Sequence, residues 1–222
     1  MRGIIAFILR LLRPAIYPME RHLIRLDEES VDPDPIKQFQ RLFHEAVRAK
    51  FYLAESMALA TASQDGTPSV RMVLLKQFDS RGFVFYTNYN SRKAKELTEN
   101  SRATLLFHWP EMHCQVRVDG TVEKISSEES DRYFHSRLRD SQIGAAASPQ
   151  SEVISRDELD RRFDELKRAY KGKEIPRPSH WGGYRLKPAT IEFWQGRAAR
   201  LHDRIVYELQ SDGSWSIKRL AP

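Results

Sequence analysis

Hydrophobic positions along this chain recur with two periods, and the changes between them mark out the elements. Asp32-Pro33-Asp34-Pro35 reads as a linker and helix start. Phe39, Leu42, Phe43, Ala46 and Val47 then fall at helical spacing and predict an amphipathic helix over a core. From Met57 the pattern shortens to that of strands. Met57 to Ala62, Val70 to Phe78 and Phe83 to Thr87 read as strands, separated by the turn-formers Gln64-Asp65-Gly66-Thr67 and Asp79-Ser80-Arg81-Gly82. Three strands joined by tight turns predict an antiparallel meander. Ser91 is a candidate N-cap for a short helix, Arg92 to Glu99. Ala103 to Trp109 and Cys114 to Ile125 read as two further strands. In the second, Val116, Val118, Gly120 and Val122 share one face and Gln115, Arg117, Asp119 and Thr121 the other.

The second half alternates helices and strands. Ser126 and Glu129 have capping-box spacing and open a helix carrying Tyr133, Phe134 and Arg137. Ser155 and Glu158 repeat that spacing before a charged helix to about Tyr170, whose few apolar positions predict a surface location. Trp181 to Leu186, Thr190 to Trp194, Asp203 to Leu209 and Ser214 to Leu220 read as strands, with Asp212-Gly213 as the last hairpin turn. Seven or eight short strands with helices between them predict a mainly β fold, an antiparallel barrel with α decorations.

Composition narrows the function classes. The 222 residues suit one domain, or one domain with appendages, and 41% hydrophobic with 30% charged residues describes a soluble globular protein. A formal charge of +6 invites anionic partners: nucleic acid, an acidic membrane surface or phosphorylated small molecules. Interleaved acidic residues and the lack of an aromatic-basic platform argue against nucleic acid. The single cysteine, Cys114, excludes an internal disulfide and a thiolate-only metal site, zinc-ligand spacing is missing, and a reducing cytoplasm fits. Gly3 to Leu9 is apolar but is interrupted by Arg10 and Arg13 and stopped by Pro14, well short of the roughly 20 residues of a membrane span. A basic amphipathic helix touching a membrane or another subunit and a loosely docked tail both remain open for it; stable membrane insertion is not expected.

Candidate chemistry concentrates near the C-terminus. Arg197, Arg200, His202 and Arg204 fall close together after Phe193-Trp194-Gln195-Gly196. If the segment is extended, Arg200, His202 and Arg204 share one face, which suits an anionic planar ligand; a basic solvent-facing edge is the competing reading. Arg92 and Lys93 in a first helical turn fit a bound anion, or are surface residues making no contact. Tyr133, Arg137 and Ser141 are spaced by four, a row able to clamp a phosphate while the helix lasts, unless Tyr133 packs inward and Arg137 snorkels. No dinucleotide-type glycine loop and no nucleophile elbow is visible.

Eight ordered motifs then carry a resemblance: Arg71-Met72-Val73-Leu74-Leu75-Lys76, Phe85-Tyr86-Thr87-Asn88, Ser91-Arg92-Lys93, Gln115-Val116-Arg117-Val118, Tyr133-Phe134-His135-Ser136-Arg137, Ser141-Gln142-Ile143-Gly144, Trp181-Gly182-Gly183-Tyr184-Arg185, and Glu192 to Arg204. From about Asp34 to Pro222 the chain resembles the pyridoxamine 5′-phosphate oxidases. The resemblance implies a homodimeric FMN-binding split β-barrel over residues 34–222, with 1–33 as a flexible or substrate-covering extension. It implies oxidation of pyridoxamine or pyridoxine 5′-phosphate to pyridoxal 5′-phosphate by O2, with release of hydrogen peroxide, in the cytoplasm. A related flavin- or pyridoxal-phosphate-binding barrel with another substrate, or none, is the alternative.

Carried over residue by residue, the resemblance implies that FMN is held at a subunit interface. Arg71, Met72, Val73, Leu74, Tyr86, Thr87, Arg92 and Lys93 would bind it, completed by Gln115, Gln150, Ser151, Trp194 and Arg204. Lys76, Tyr133, Arg137 and Ser141 would bind the substrate phosphate. Arg200, Leu201 and His202 would meet the substrate ring, Arg200 and His202 in the catalytic role. The sequence departs from the family pattern at Cys114, Leu138 and Ala146, and its lid motif is not clean, with Arg13 and Tyr17 as candidates.

Overall fold

The computed structural model describes residues 26–222. The apolar-basic stretch with Arg13 and Tyr17 lies outside the described residues. Leu26 and Val31, at the start of the described chain, are buried, and the Leu26 carbonyl accepts a hydrogen bond from Arg219.

Helix α1 (Pro35–Arg48) forms where the spacing predicts it. Asp34 caps it by accepting from the Ile36 amide at 2.8 Å, and Pro35 occupies the first turn, where no amide is needed. Its inner stripe buries Phe39, Leu42 and Ala46. The Phe39 ring is fully buried, with centroids 5.0, 4.9 and 4.9 Å from Phe78, Phe83 and Phe107. Phe39→Ala is therefore expected to destabilise the fold by about 3–5 kcal/mol, read as a lowered urea midpoint.

Among the described residues nine strands form one antiparallel sheet: β1 (Ser56–Ala62), β2 (Pro68–Leu74), β3 (Gln77–Asp79), β4 (Gly82–Asn88), β5 (Arg102–Trp109), β6 (Cys114–Lys124), β7 (Trp181–Gln195), β8 (Asp203–Leu209) and β9 (Trp215–Arg219). The order is β2-β1-β5-β6-β7-β4-β3, with β8 on β7 and β9 on β8. Around it lie α2 (Arg92–Glu99), α3 (Ser127–Ser136), α4 (Arg139–Ala147) and α5 (Arg156–Ala169). Ser126 and Ser155 cap α3 and α5 as their spacing predicts, and α5 buries none of its residues. Among the described residues no helix is long and apolar enough to cross a membrane.

Three expectations are corrected. The meander does not form. Val70 to Phe78 breaks at Leu75-Lys76, and β2 and β3 occupy opposite ends of the strand path. Two consecutive amides explain it: Leu75 donates to Glu55 beside β1, and Lys76 donates to Val84 in β4, each at 2.9 Å. The two ends of the path thus meet within two residues, which curls the sheet into a split barrel. Second, Trp181 to Leu186 and Thr190 to Trp194 are one 15-residue strand, β7. It runs through Pro188 because the register shifts by a bulge opposite Asp119 and Gly120. A Cβ on Gly120 would stand 1.9 Å from the Lys187 carbonyl oxygen, so the crossing requires glycine. Third, Ser91 does not cap α2 with its side chain; its hydroxyl donates back to the Asn88 carbonyl at 2.6 Å.

Candidate functional site

A cleft of about 700 Å³ opens between β2, β4, the first turn of α2, helices α3 and α4, and the start of β7. Arg71, Met72, Val73, Leu74 and Lys76 line it from β2 and the break after it; Tyr86 and Thr87 line it from β4. Lys93, Tyr133, Arg137, Ser141 and Gln150 complete the predicted residues found there. Its aromatic wall is a stack: Tyr86 and Tyr133 centroids lie 3.9 Å apart at 20°, and Trp181 continues the stack 5.4 Å from Tyr86 at 12°. The glycine pair of β7 makes this possible. A Cβ on Gly183 would come within 2.9 Å of the Tyr86 ring, and one on Gly182 within 2.2 Å of the Tyr89 hydroxyl.

Tyr133, Arg137 and Ser141 do converge on the cleft, but not along one helix. Helix α3 ends at Ser136, Arg137 is its extended C-cap, and α4 restarts at Arg139. The Arg137 guanidinium lies 4.7 Å over the Trp181 ring. Its Nη1 is buried and has no hydrogen-bond partner, and burial holds the guanidinium below its usual pKa. Burial also pushes the Tyr86 phenol up to about 12, so that wall stays neutral. A half-buried cation with one buried, unpartnered N–H group beside neutral aromatic rings is a strong site for an anion.

The second cationic group is Lys93, buried inside the first turn of α2. Its Nζ donates to Gln150 Oε1 at 2.9 Å and to Thr87 Oγ1 at 3.2 Å. Burial first, and the nearby Arg71 charge second, lower its pKa to about 8, against an opposing pull from Glu96. Arg71 is tied to Glu96, Nη2 to Oε2 at 3.1 Å. Arg92 turns away from the cleft: its Nε pairs with Glu96 at 2.7 Å, and its backbone amide donates to Ser151 Oγ at 3.1 Å. Ser151 itself holds a left-handed φ of 77°.

The other predicted residues gather elsewhere on the chain. Gln115, Trp194 and Arg204 are directly paired across β6, β7 and β8, a row on one face of the sheet. The His202 ring lies 4.6 Å from the Trp194 ring. Arg204 Nε pairs with buried Glu192 at 2.7 Å. None of Arg92, Gln115, Ser151, Trp194, Arg200, Leu201, His202 and Arg204 lines the cleft of its own chain.

Nor is Arg200 to Arg204 one extended face. Ala198–Arg200 is a tight turn in which Ala199 and Arg200 take left-handed φ values of 54° and 62°, and β8 begins only at Asp203. The turn is stitched by the Arg197 amide, which donates to His202 Nδ1 at 3.1 Å, and by Arg197 Nε on Asp203 at 2.7 Å. Because Nδ1 accepts, the proton of the neutral ring is on Nε2.

Sequence reasoning passed over Asn88, Ser148 and Trp181, all of which line the cleft, and Glu96, which pairs with the cleft residue Arg71. Asn88 and Trp181 stood inside motifs already singled out. Glu96 carried its own signal, an acid four residues after Arg92 in a predicted helix.

The family model described as pyridoxamine 5′-phosphate oxidase matches residues 43–195, and that of the pyridoxine 5′-phosphate oxidase C-terminal dimerisation region matches 181–222. The chain is 55% identical over 198 residues to the pyridoxine/pyridoxamine 5′-phosphate oxidase of Trichormus variabilis, covering 89% of this chain and 92% of that one. The protein of the same name from Rubrobacter xylanophilus is 57% identical over 198 residues, covering 89% and 91%. Among solved structures, PhzG from Burkholderia lata 383, in complex with tetrahydrophenazine-1-carboxylic acid, superposes with a TM-score of 0.84 at 32% identity, over 90% of this chain and 99% of that one. A pyridoxamine 5′-phosphate oxidase-related, FMN binding protein from Nostoc punctiforme shares the fold, with a TM-score of 0.69 at 17% identity over 90% and 100% of the two chains. With its cleft, its split barrel and its C-terminal dimerisation region, the chain belongs to the pyridoxamine 5′-phosphate oxidase family.

Proposed function

We propose that this protein is a homodimeric, FMN-dependent oxidase that converts pyridoxamine and pyridoxine 5′-phosphate to pyridoxal 5′-phosphate. One observation carries the reading: the buried, unpartnered Nη1 of Arg137, in a cleft that also holds the buried cation Lys93. Two cationic groups from separate elements suit two phosphate-bearing molecules, and the cleft has room for planar rings against its aromatic wall. The donor set fits FMN, with Arg71 and Lys93 toward its phosphate and the β2 and β4 segments along its ring. The two-electron acceptor that the polypeptide lacks would be FMN, with O2 as final acceptor and hydrogen peroxide, plus ammonia from the amine, as by-products.

The protein's own part is to bind and orient. Arg137, Tyr133, Ser141 and Lys76 hold the substrate phosphate, and the Arg200–His202 turn covers the substrate ring. Gln115, Trp194, Arg200, His202 and Arg204 stand apart from their own cleft. Trp194 and the residues after it also lie within the region matched as the dimerisation region. That division supports a site completed by a second copy.

Purified protein is expected to be yellow, or to become so with FMN, and to release peroxide with pyridoxamine 5′-phosphate. Protein that FMN cannot reconstitute would overturn the reading. The Lys93 pKa of about 8 adds a pH signature. Protonated Lys93 pairs with phosphate, and binding raises its pKa. FMN affinity should thus hold from about pH 6, where the phosphate becomes dianionic, to pH 8, then fall by up to roughly tenfold per unit. Lys93→Met should flatten that alkaline limb, as read by flavin fluorescence titration; an unchanged limb would remove Lys93 from the site.

A further inference from the structure

We propose that Glu96 is a positioning residue for the cofactor-phosphate site: its buried carboxylate sets the orientation of Arg71. The inference rests on the flavin reading above. A carboxylate beside an anion site is unexpected, because its charge opposes the ligand. Glu96 is nevertheless 5% exposed and accepts from four donors. Oε2 accepts from Thr61 Oγ1 at 2.5 Å, Ser69 Oγ at 2.6 Å and Arg71 Nη2 at 3.1 Å. Oε1 accepts from Arg92 Nε at 2.7 Å. Burial alone would raise its pKa, but these donors outweigh burial and hold it at about 2, so the group is ionised at every working pH.

The two hydroxyls close the network. Thr61 Oγ1 and Ser69 Oγ each give their proton to Glu96 and accept from Arg71, through Nη1 and Nη2, at 2.5 Å. Arg71 Nη1 also donates to the Leu59 carbonyl at 3.2 Å. Four of the five N–H bonds of Arg71 are thereby committed on fixed partners, and the guanidinium cannot rotate. Among the described residues only its Nε–H remains for a ligand in the cleft that Arg71 lines. Arg92 grips the other oxygen, Oε1, from outside the cleft, so the carboxylate is fixed from both sides while only Arg71 faces the ligand space. A flexible cation on the cleft wall becomes preorganised, an arrangement that lowers the ordering cost of binding phosphate.

A carboxylate that merely balances charge predicts the opposite experimental sign. Removing a negative charge next to a dianion would then tighten anion binding. In the full chain stripped of flavin, Glu96→Gln is expected to weaken FMN binding about tenfold or more, while riboflavin, which lacks the phosphate, binds within about twofold of wild type. In an Arg71→Ala background the same substitution should lose most of its effect, since it acts largely through Arg71. Unchanged or tighter FMN binding, equal losses for FMN and riboflavin, or full additivity with Arg71→Ala would each overturn the proposal. Should Glu96→Gln fail to fold, Ser69→Ala removes one arm of the network and should cost FMN, but not riboflavin, about two- to fivefold in affinity; no such split refutes the role. Wild-type chain that binds no FMN at all defeats the functional reading, and this inference with it.

Discussion

Arg137→Ala is expected to raise KM for pyridoxamine 5′-phosphate by about two orders of magnitude while leaving the unphosphorylated vitamer almost untouched. The guanidinium stacks 4.7 Å over Trp181 with Nη1 buried and unpartnered. A charge-assisted hydrogen bond contributes about 1.5–3 kcal/mol, and two of them to a phosphate amount to a factor of roughly 10² or more. Alanine removes both. It also removes a cation that burial disfavours, so the thermal midpoint should hold within a few degrees despite the lost ring contact. Steady-state peroxide release with the two vitamers measures the split. Equal KM changes for both, or none for the phosphorylated one, would place the substrate phosphate elsewhere.

Arg200→Ala is expected to lower kcat by about 10²–10³ while FMN stays bound. Arg200 sits exposed at the tip of a turn whose left-handed φ values of 54° and 62° are unusual for non-glycine residues. Each such residue costs on the order of 1–2 kcal/mol and persists only where surrounding bonds hold it. Here they do: Arg197 grips Asp203, and Asp203 is gripped again by Arg219 at 3.0 Å. Strain kept at a cationic tip beside an imidazole with its Nε2–H free to donate fits a group that orients a reacting ring, an effect worth several kcal/mol. The flavin spectrum and kcat, measured together, separate orientation from cofactor loss. Full activity in the variant would remove the turn from the chemistry, and Arg200→Lys, which keeps the charge but not the fork, should recover only part of the rate.

Much of this was legible in the chain. The apolar periods placed α1 and most strands to within a few residues, and capping-box spacing located the starts of α3 and α5. The motif residues of β2, β4, α2, α3 and α4 do meet in one cleft. Elsewhere local pattern misled. Trp181 to Leu186 and Thr190 to Trp194 read as two strands, although a bulge lets β7 pass through Pro188 between them. Alternation read Arg200, His202 and Arg204 as one face, although the Arg197–Asp203 and Arg197–His202 contacts wind that segment into a turn.

By itself the sequence determined which residues are apolar, where α1, α3 and α5 begin, which face of β6 is apolar, and the family to which the chain belongs. Those properties are set by neighbours along the backbone or by motifs written in order. Only the tertiary structure decided that β2 and β3 part company at Leu75-Lys76, that Glu96 ties Arg71 to Arg92, and that Arg137 Nη1 is left without a hydrogen-bond partner. These depend on which distant strand supplies each hydrogen bond and which buried group fails to find one, quantities fixed by packing in three dimensions rather than by period along the chain.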